Sequence, residues 1–320
     1  MARVVLVTGV SRYLGSRVAE GLQADPGVDR VIGVDSEPPR YPFGSVEFAY
    51  ANLCDGSVGQ VIRDSGADTV LHLGLVPAPE AADGKGPLQE SNVVGTMQLL
   101  AACQQSAAVR RVVLRSSAAV DARDVVEMEE HTRGLARRRP DLSIAVLRFA
   151  NLIGPSVETP LTRYLGLRIV PTVKGYDPRM QFIHEDDGVE VLRRMALGSG
   201  QAFNGFFNVA APGAMPLSQC LHRVGRPGIP VPERGLRVIG SLARRGRGHY
   251  SPDRLRRLCC GRVLETGKVE RTLDWAPAYT SRQAFESFAA GRGSERFEEA
   301  EPPSPVGPVT ALAVRAAAGR

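Results

Sequence analysis

The chain of 320 residues predicts a doubly wound α/β fold, a parallel sheet covered by helices on both faces, followed by a smaller, mainly helical lobe. Three observations carry this. Short apolar runs alternate with stretches of helical periodicity over the first half. The first run ends in a glycine turn that opens a helix. The second run ends on an acid, Asp35, as it does where a sheet of this kind holds a nucleotide at its carboxyl edge.

Element by element, Val4 to Thr8 is continuously apolar, as a central parallel strand must be when both of its faces are buried. A helix follows from Leu14 to Gln23, and Val31 to Val34 is the second strand. Val46 to Tyr50 and Thr69 to Leu73 read as the third and fourth. Leu88 to Gln105 carries Val93, Val94, Met97, Leu100 and Ala101 at helical spacing. Val112 to Leu114 is a fifth strand, Val125 to Arg138 a helix, and Ile144 to Leu147 a sixth strand. Beyond Pro155 the pattern is irregular and richer in Pro and Gly, with one more short strand at Phe206 to Val209. The expected organisation is a nucleotide-binding unit over 1–155 completed by 180–212, a small lobe from 156–179 and 213–293, and a flexible tail over 294–320.

Composition narrows the function. A hydrophobic fraction of 43% suits a folded globular chain, and no apolar run reaches bilayer length. The five cysteines have no metal-ligand or redox spacing, so no metal site is expected and reduced thiols in the cytoplasm are the plain reading. The net charge of +6 is carried by arginine, with Lys85, Lys174 and Lys268 the sole lysines, and arginine is dense from Arg234 to Arg271. No helix-turn-helix, zinc-finger or RNA-recognition signature accompanies that stretch. A solvated face or a site for an anionic small molecule therefore outweighs a nucleic-acid surface.

The stretch Thr8-Gly9-Val10-Ser11-Arg12-Tyr13-Leu14-Gly15 supplies what a dinucleotide needs. Gly9 permits a tight turn, Gly15 lets helix and strand approach, and the helix N-terminus faces the pyrophosphate. Asp35 can accept from the ribose hydroxyls, which favours NAD, with NADP as the alternative. Arg12 stands where a middle glycine is usual; its side chain either turns away or pairs with a cofactor phosphate.

At this point the chain resembles the extended short-chain dehydrogenase/reductases of the NAD-dependent epimerase/dehydratase type, a Rossmann-fold family. Thr8 to Gly15 is similar to that family's TGxxGxxG signature, Asn52-Leu53 to its pair beside the adenine, and His72-Leu73-Gly74 to its HLA motif. Asn92 to Thr96 resembles NVxGT, Ser116 to Val120 resembles SSxxV, and Arg148 to Pro155 resembles RxxNxxGP. Phe182-Ile183-His184 with Asp186-Asp187 is similar to FIHVDD, and its histidine is usually structural. The resemblance covers about residues 4 to 290. It implies cofactor contacts from Gly9, Arg12, Tyr13, Leu14, Gly15, Asp35, Asn52, Leu53, Leu73, Gly74, Asn92 and Ser116. It also implies substrate contacts from Asn151 and, one position out of register, Arg179. The implied substrate is nucleotide-sugar-like, and the implied assembly is a homodimer through the helices at Leu88–Gln105 and Val125–Arg138.

The departure lies in catalysis. The family's proton-transferring Tyr and the Lys four residues later should fall between Ser117 and Arg148, and that interval contains neither. None of the seven tyrosines has a lysine four positions on. Ser117 is retained, and Asp121, Asp124, Glu127, Glu129, Glu130 and His131 are the acid or base groups nearest the expected place. Two readings follow: an enzyme with a non-standard acid/base, of which Asp121, Asp124 and His131 are the leading substitutes, or a cofactor-binding protein without turnover that serves as a sensor or complex partner.

Overall fold

A computed structural model describes residues 3–74, 87–118, 123–198, 200, 203–232 and 263–294. Its centre is a seven-stranded parallel sheet. The strands are β1 (Val4–Thr8), β2 (Arg30–Asp35), β3 (Glu47–Tyr50), β4 (Thr69–His72), β5 (Arg111–Ser117), β6 (Ser143–Phe149) and β11 (Gly205–Val209). Their order is β11-β6-β5-β4-β1-β2-β3. The chain starts in the middle, winds outward to β3, then returns past β1 and winds the other way. This reversal leaves a crevice at the carboxyl ends of β1 and β4, where open α/β sheets bind ligands.

Strand alternation sends side chains to two separate cores. On one face Val5, Val7, Val113, Leu147 and Phe207 pack against α1 (Tyr13–Gln23) and α6 (Glu185–Leu197) through Leu14, Val18, Leu22, Val191 and Met195. On the other, Leu6, Ile32, Val70, Val112 and Ile144 meet α2 (Ser57–Ser65), α3 (Pro87–Gln105) and α4 (Arg123–Arg138). Both α2 and α6 lie outside the helices read from periodicity. α2 is only nine residues long and contains Gly59, and the acidic start of α6 hides its apolar stripe.

After β6 come β7 (Asn151–Ile153), α5 (Pro160–Leu165), β8 (Val170–Val173), β9 (Arg179–Met180) and β10 (Phe182–His184). Beyond β11 come β12 (Met215–Pro216), α7 (Leu217–Arg223), β13 (Gly228–Val231), α8 (Gly267–Leu273) and α9 (Ser281–Ser294). A third core of Tyr164, Phe182, Met215, Leu221, Phe285 and Phe288 holds most of these pieces together, whereas α8 puts Val269 and Leu273 into the first core beside β11. Short strand pairs, β7 with β10, β9 with β12 and β8 with β13, accompany the helices there. Most of the arginine-rich stretch and the tail beyond Ser294 lie outside the described residues. Among the described residues, no helix is long and apolar enough to cross a membrane.

Candidate functional site

The glycine turn is built by steric necessity. Gly9 has φ +82°, and a Cβ there would lie 2.7 Å from Gly74 Cα. A Cβ on Gly15 would come within 2.1 Å of the Gly9 carbonyl oxygen. No side chain at these two positions is compatible with the packing of β1, α1 and the end of β4. Arg12 is the N-cap of α1 and makes no side-chain cap, so the helix N-terminus keeps its amides for something else.

Asp35 closes the turn from β2. Its Oδ2 accepts from the Ser11 amide at 3.0 Å and from Ser11 Oγ at 2.7 Å, and its Oδ1 accepts from the Ser36 amide at 2.8 Å. Ser11 thus fastens the turn to β2, a role that motif reading passes over although Ser11 lies within the glycine stretch. The Arg12 side chain is half-buried, and desolvation lowers its pKa, an effect the nearby charges of Asp35 and Glu37 oppose.

Tyr13 donates to Glu185 Oε1 at 2.9 Å and packs edge-on against Tyr41. Burial, followed by the neighbouring carboxylate, pushes its phenol up to about 12, so Tyr13 is a structural donor and not an acid. Glu185 is 2% exposed and also accepts from the amides of Ser156 and Val157, the latter at 2.7 Å. One carboxylate at the start of α6 therefore ties the first turn of α1 to the chain leaving β7.

Under the crevice, His72 is bonded on both sides, to Thr8 Oγ1 at 2.8 Å and Thr96 Oγ1 at 3.0 Å. Burial lowers its pKa to about 4, and it stays neutral. Leu73 is buried, and Leu53 sits against Gly74 and Gly95. Asn92 is buried in the first half of α3. Asn52 is exposed, and its side chain accepts from the Cys54 amide, closing a local turn.

The end of β5 is divided by its alternation. Ser116 donates to Glu129 Oε1 at 3.0 Å on the α4 side, so its hydroxyl serves that helix. Ser117, half-buried, belongs to the opposite face. Glu129 is 2% exposed and holds Arg148 through two contacts, one at 2.8 Å from Nε, while Arg148 and Arg133 both lie over the Phe206 ring. The buried side of α4 is otherwise Val125, Met128, Thr132 and Leu135, the first two packed with Val93 of α3. Glu127 and Glu130 are exposed, Asp124 and His131 are half-buried, and Asp121 lies outside the described residues. The network around Glu129 was missed in the sequence. It is legible only once α4 is laid on β5 and β6.

Of the two substrate-side positions, one is engaged by the fold itself. Asn151 Nδ2 donates to the Gln181 carbonyl at 3.0 Å, and Arg179 is exposed on β9. His184 caps α6, bonds Ser287 and stacks on Tyr279 at 3.8 Å, as a structural histidine does. Among the described residues, no group of His, Cys, Asp and Glu could hold a metal ion.

Residues 5–134 match the family model of the NAD dependent epimerase/dehydratase family. An uncharacterized protein of Mycobacterium tuberculosis strain H37Rv is 37% identical over 322 residues, covering 91% of this chain and 84% of its own length. The chain belongs to the NAD-dependent epimerase/dehydratase family. Solved family structures share its fold. The UDP-glucose 4-epimerase of Thermotoga maritima has a TM-score of 0.68 at 17% identity over 92% of this chain and 99% of that one. MoeE5 in complex with UDP-glucose and NAD has a TM-score of 0.71 at 19% identity, covering 92% and 100%. The dTDP-glucose 4,6-dehydratase of Bacillus anthracis, in complex with NAD, has a TM-score of 0.66 at 14% identity, covering 92% and 97%.

Proposed function

We propose that the protein binds NAD across the carboxyl edge of β1, β2 and β4 and handles an anionic, nucleotide-sugar-like small molecule without a Tyr-Lys acid/base pair. The observation that carries this reading is a complete dinucleotide turn beside a degenerate catalytic helix. Gly9, Gly15, Asp35 and the uncapped start of α1 fit a dinucleotide, whereas the buried side of α4 carries apolar groups and a Glu129 already paired with Arg148. When bound, NAD supplies a hydride acceptor. In this chain Gly9, Leu14 and Gly15 shape its bed, Asp35 accepts from the adenosine ribose, and Leu53, Leu73, Gly74 and Asn92 border it.

NAD is favoured over NADP because a 2′-phosphate would meet the Asp35 carboxylate. Ser117 is the retained hydroxyl on the crevice side. A serine has too high a pKa to act alone as the base, so Asp121, Asp124 and His131 are the groups to test for proton transfer. The second reading, a cofactor-binding sensor or complex partner without turnover, is favoured by the immobilised Glu129. Pairing through α3 and α4 is supported by Val94, Met97 and Val126, which are 41%, 43% and 41% exposed on those two helices. The free thiols of Cys103 and Cys220, buried and pushed up to about 12 by desolvation, fit a cytoplasmic setting.

Calorimetric titration with NAD and NADP, followed by an NMR screen of UDP- and dTDP-sugars with NAD present, tests the proposal. NAD binding with no turnover by the native chain supports the second reading. Turnover lost in Asp121→Ala, Asp124→Ala or His131→Ala supports the first. Failure to bind NAD refutes both.

A further inference from the structure

The acids that open α6, Glu185, Asp186 and Asp187, have different surroundings. Asp186 is exposed, and Asp187 accepts from the Ala278 and Tyr279 amides. Glu185 turns toward α1 and is 2% exposed. In the FIHVDD string that this stretch resembles, a valine stands at its position. The carboxylate found here instead accepts from neutral donors, the Tyr13 hydroxyl and the amides of Ser156 and Val157. A Cβ on Gly154 would lie 2.2 Å from Glu185 Oε2, so the slot that receives the carboxylate requires glycine there. A buried carboxylate is costly unless hydrogen bonds satisfy it, so what sets Glu185 apart from an apolar residue is what its bonds hold.

On one side they hold the chain leaving β7, through the Ser156 amide at 3.1 Å and the Val157 amide at 2.7 Å, both to Oε2. On the other they hold Tyr13, whose hydroxyl donates to Oε1 at 2.9 Å. Tyr13 is the first residue of α1. A helix start is ordinarily anchored by a capping side chain that takes up a free amide. The start of α1 has no such bond, and its first turn carries no acid. A capping side chain would also occupy the amides that a phosphate needs. The Tyr13–Glu185 bond anchors the same turn by a side chain and leaves those amides open. The Tyr41 ring, edge-on at 5.5 Å, confines the same phenol ring. With its pKa pushed up to about 12 by burial and by Glu185, Tyr13 keeps the proton it donates.

We propose that Glu185 is a positioning residue for the dinucleotide: through Tyr13 it holds the first turn of α1 where the phosphates dock, in the role that a capping side chain has elsewhere. This inference rests on the reading that the turn binds NAD. It makes affinity for the phosphates depend on a residue 172 positions further along the chain, which acts through another side chain.

The test uses the full chain and its Tyr13→Phe, Glu185→Gln, Glu185→Val and Tyr13→Phe/Glu185→Val variants, at a temperature where circular dichroism shows each one folded. NAD and ADP-ribose are titrated calorimetrically, and adenosine is followed by ligand-observed NMR. Tyr13→Phe keeps the ring and removes the bond. It is expected to weaken NAD and ADP-ribose by roughly threefold to thirtyfold, with adenosine, which has no phosphates, unchanged. Glu185→Gln can set its oxygen on the two amides and donate its own N–H to the Tyr13 oxygen, so it stays within about twofold of native. Glu185→Val loses at least as much as Tyr13→Phe, and the double variant no more than Glu185→Val alone. Native NAD affinity, to within about twofold, in Tyr13→Phe overturns the proposal while leaving the cofactor site standing, and it does so even if Glu185→Val does not fold. Losses that multiply in the double variant, a Gln variant as weak as the Val variant, or equal weakening of adenosine also overturn it. A native chain that binds no NAD refutes the site reading and the positioning role with it.

Discussion

The pairing of Glu129 with Arg148 makes a quantitative claim about the helix that should carry the chemistry. The Glu129 side chain is 3% exposed and the Arg148 side chain 26% exposed. Replacing Arg148 by Met strands a buried carboxylate whose remaining donors are Ser116 at 3.0 Å and the more distant Arg133 at 3.4 Å. Removing one partner of a buried pair costs about 3 to 5 kcal/mol, and the two residual donors place this case near about 3. Glu129→Leu leaves the Ser116 hydroxyl without its acceptor and Arg148 free to extend toward solvent, for a loss of about 2 kcal/mol. The double variant leaves no unpaired charge and should lose about 2 to 3 kcal/mol, so the coupling is about 2 kcal/mol or more. Urea unfolding of the four chains, followed by circular dichroism, measures it. Additive single losses, or a loss below about 1 kcal/mol for Arg148→Met, would refute the view of Glu129 as a strut. They would also return it to the set of candidate acids.

His72 gives a pH signature. It titrates near 6.5 when unfolded but near about 4 when folded, so as pH falls the unfolded chain takes the proton first. Its contribution is complete above about pH 6.5 and declines by roughly 3 kcal/mol on the way down to about pH 4, a slope that urea titrations at stepped pH should find in the native chain and not in His72→Asn. Asp35→Asn should narrow the preference for NAD over NADP, expected at tenfold or so in the native chain, and NADP binding tighter than NAD in that native chain would contradict the role given to Asp35. Gly15→Ala forces a Cβ to within 2.1 Å of the Gly9 carbonyl oxygen, so the turn must open; calorimetric NAD binding should be lost while circular dichroism stays native-like.

Much of the sheet was readable in the chain because its strands are buried on both faces. Val4 to Thr8 is apolar throughout, and β1 occupies those same residues. Elements whose signals are short or masked by charge were not readable: α2, interrupted by Gly59, and α6, opened by Glu185, Asp186 and Asp187. The glycine turn could be recognised because its residues are contiguous and their spacing is dictated by sterics. The partners of Ser116, Glu129 and Tyr13 are 13, 19 and 172 residues away, and no local pattern announces such contacts.

The two bonds from Ser11 to Asp35 bear on how fast a ligand can enter. They fasten the turn to β2 without any help from a nucleotide, so the conformational ordering of the loop is complete once the chain has folded. An arriving dinucleotide meets a finished bed. On the proposed reading, association is expected to be a single docking event, with differences in affinity among variants of this turn residing in how long the ligand stays.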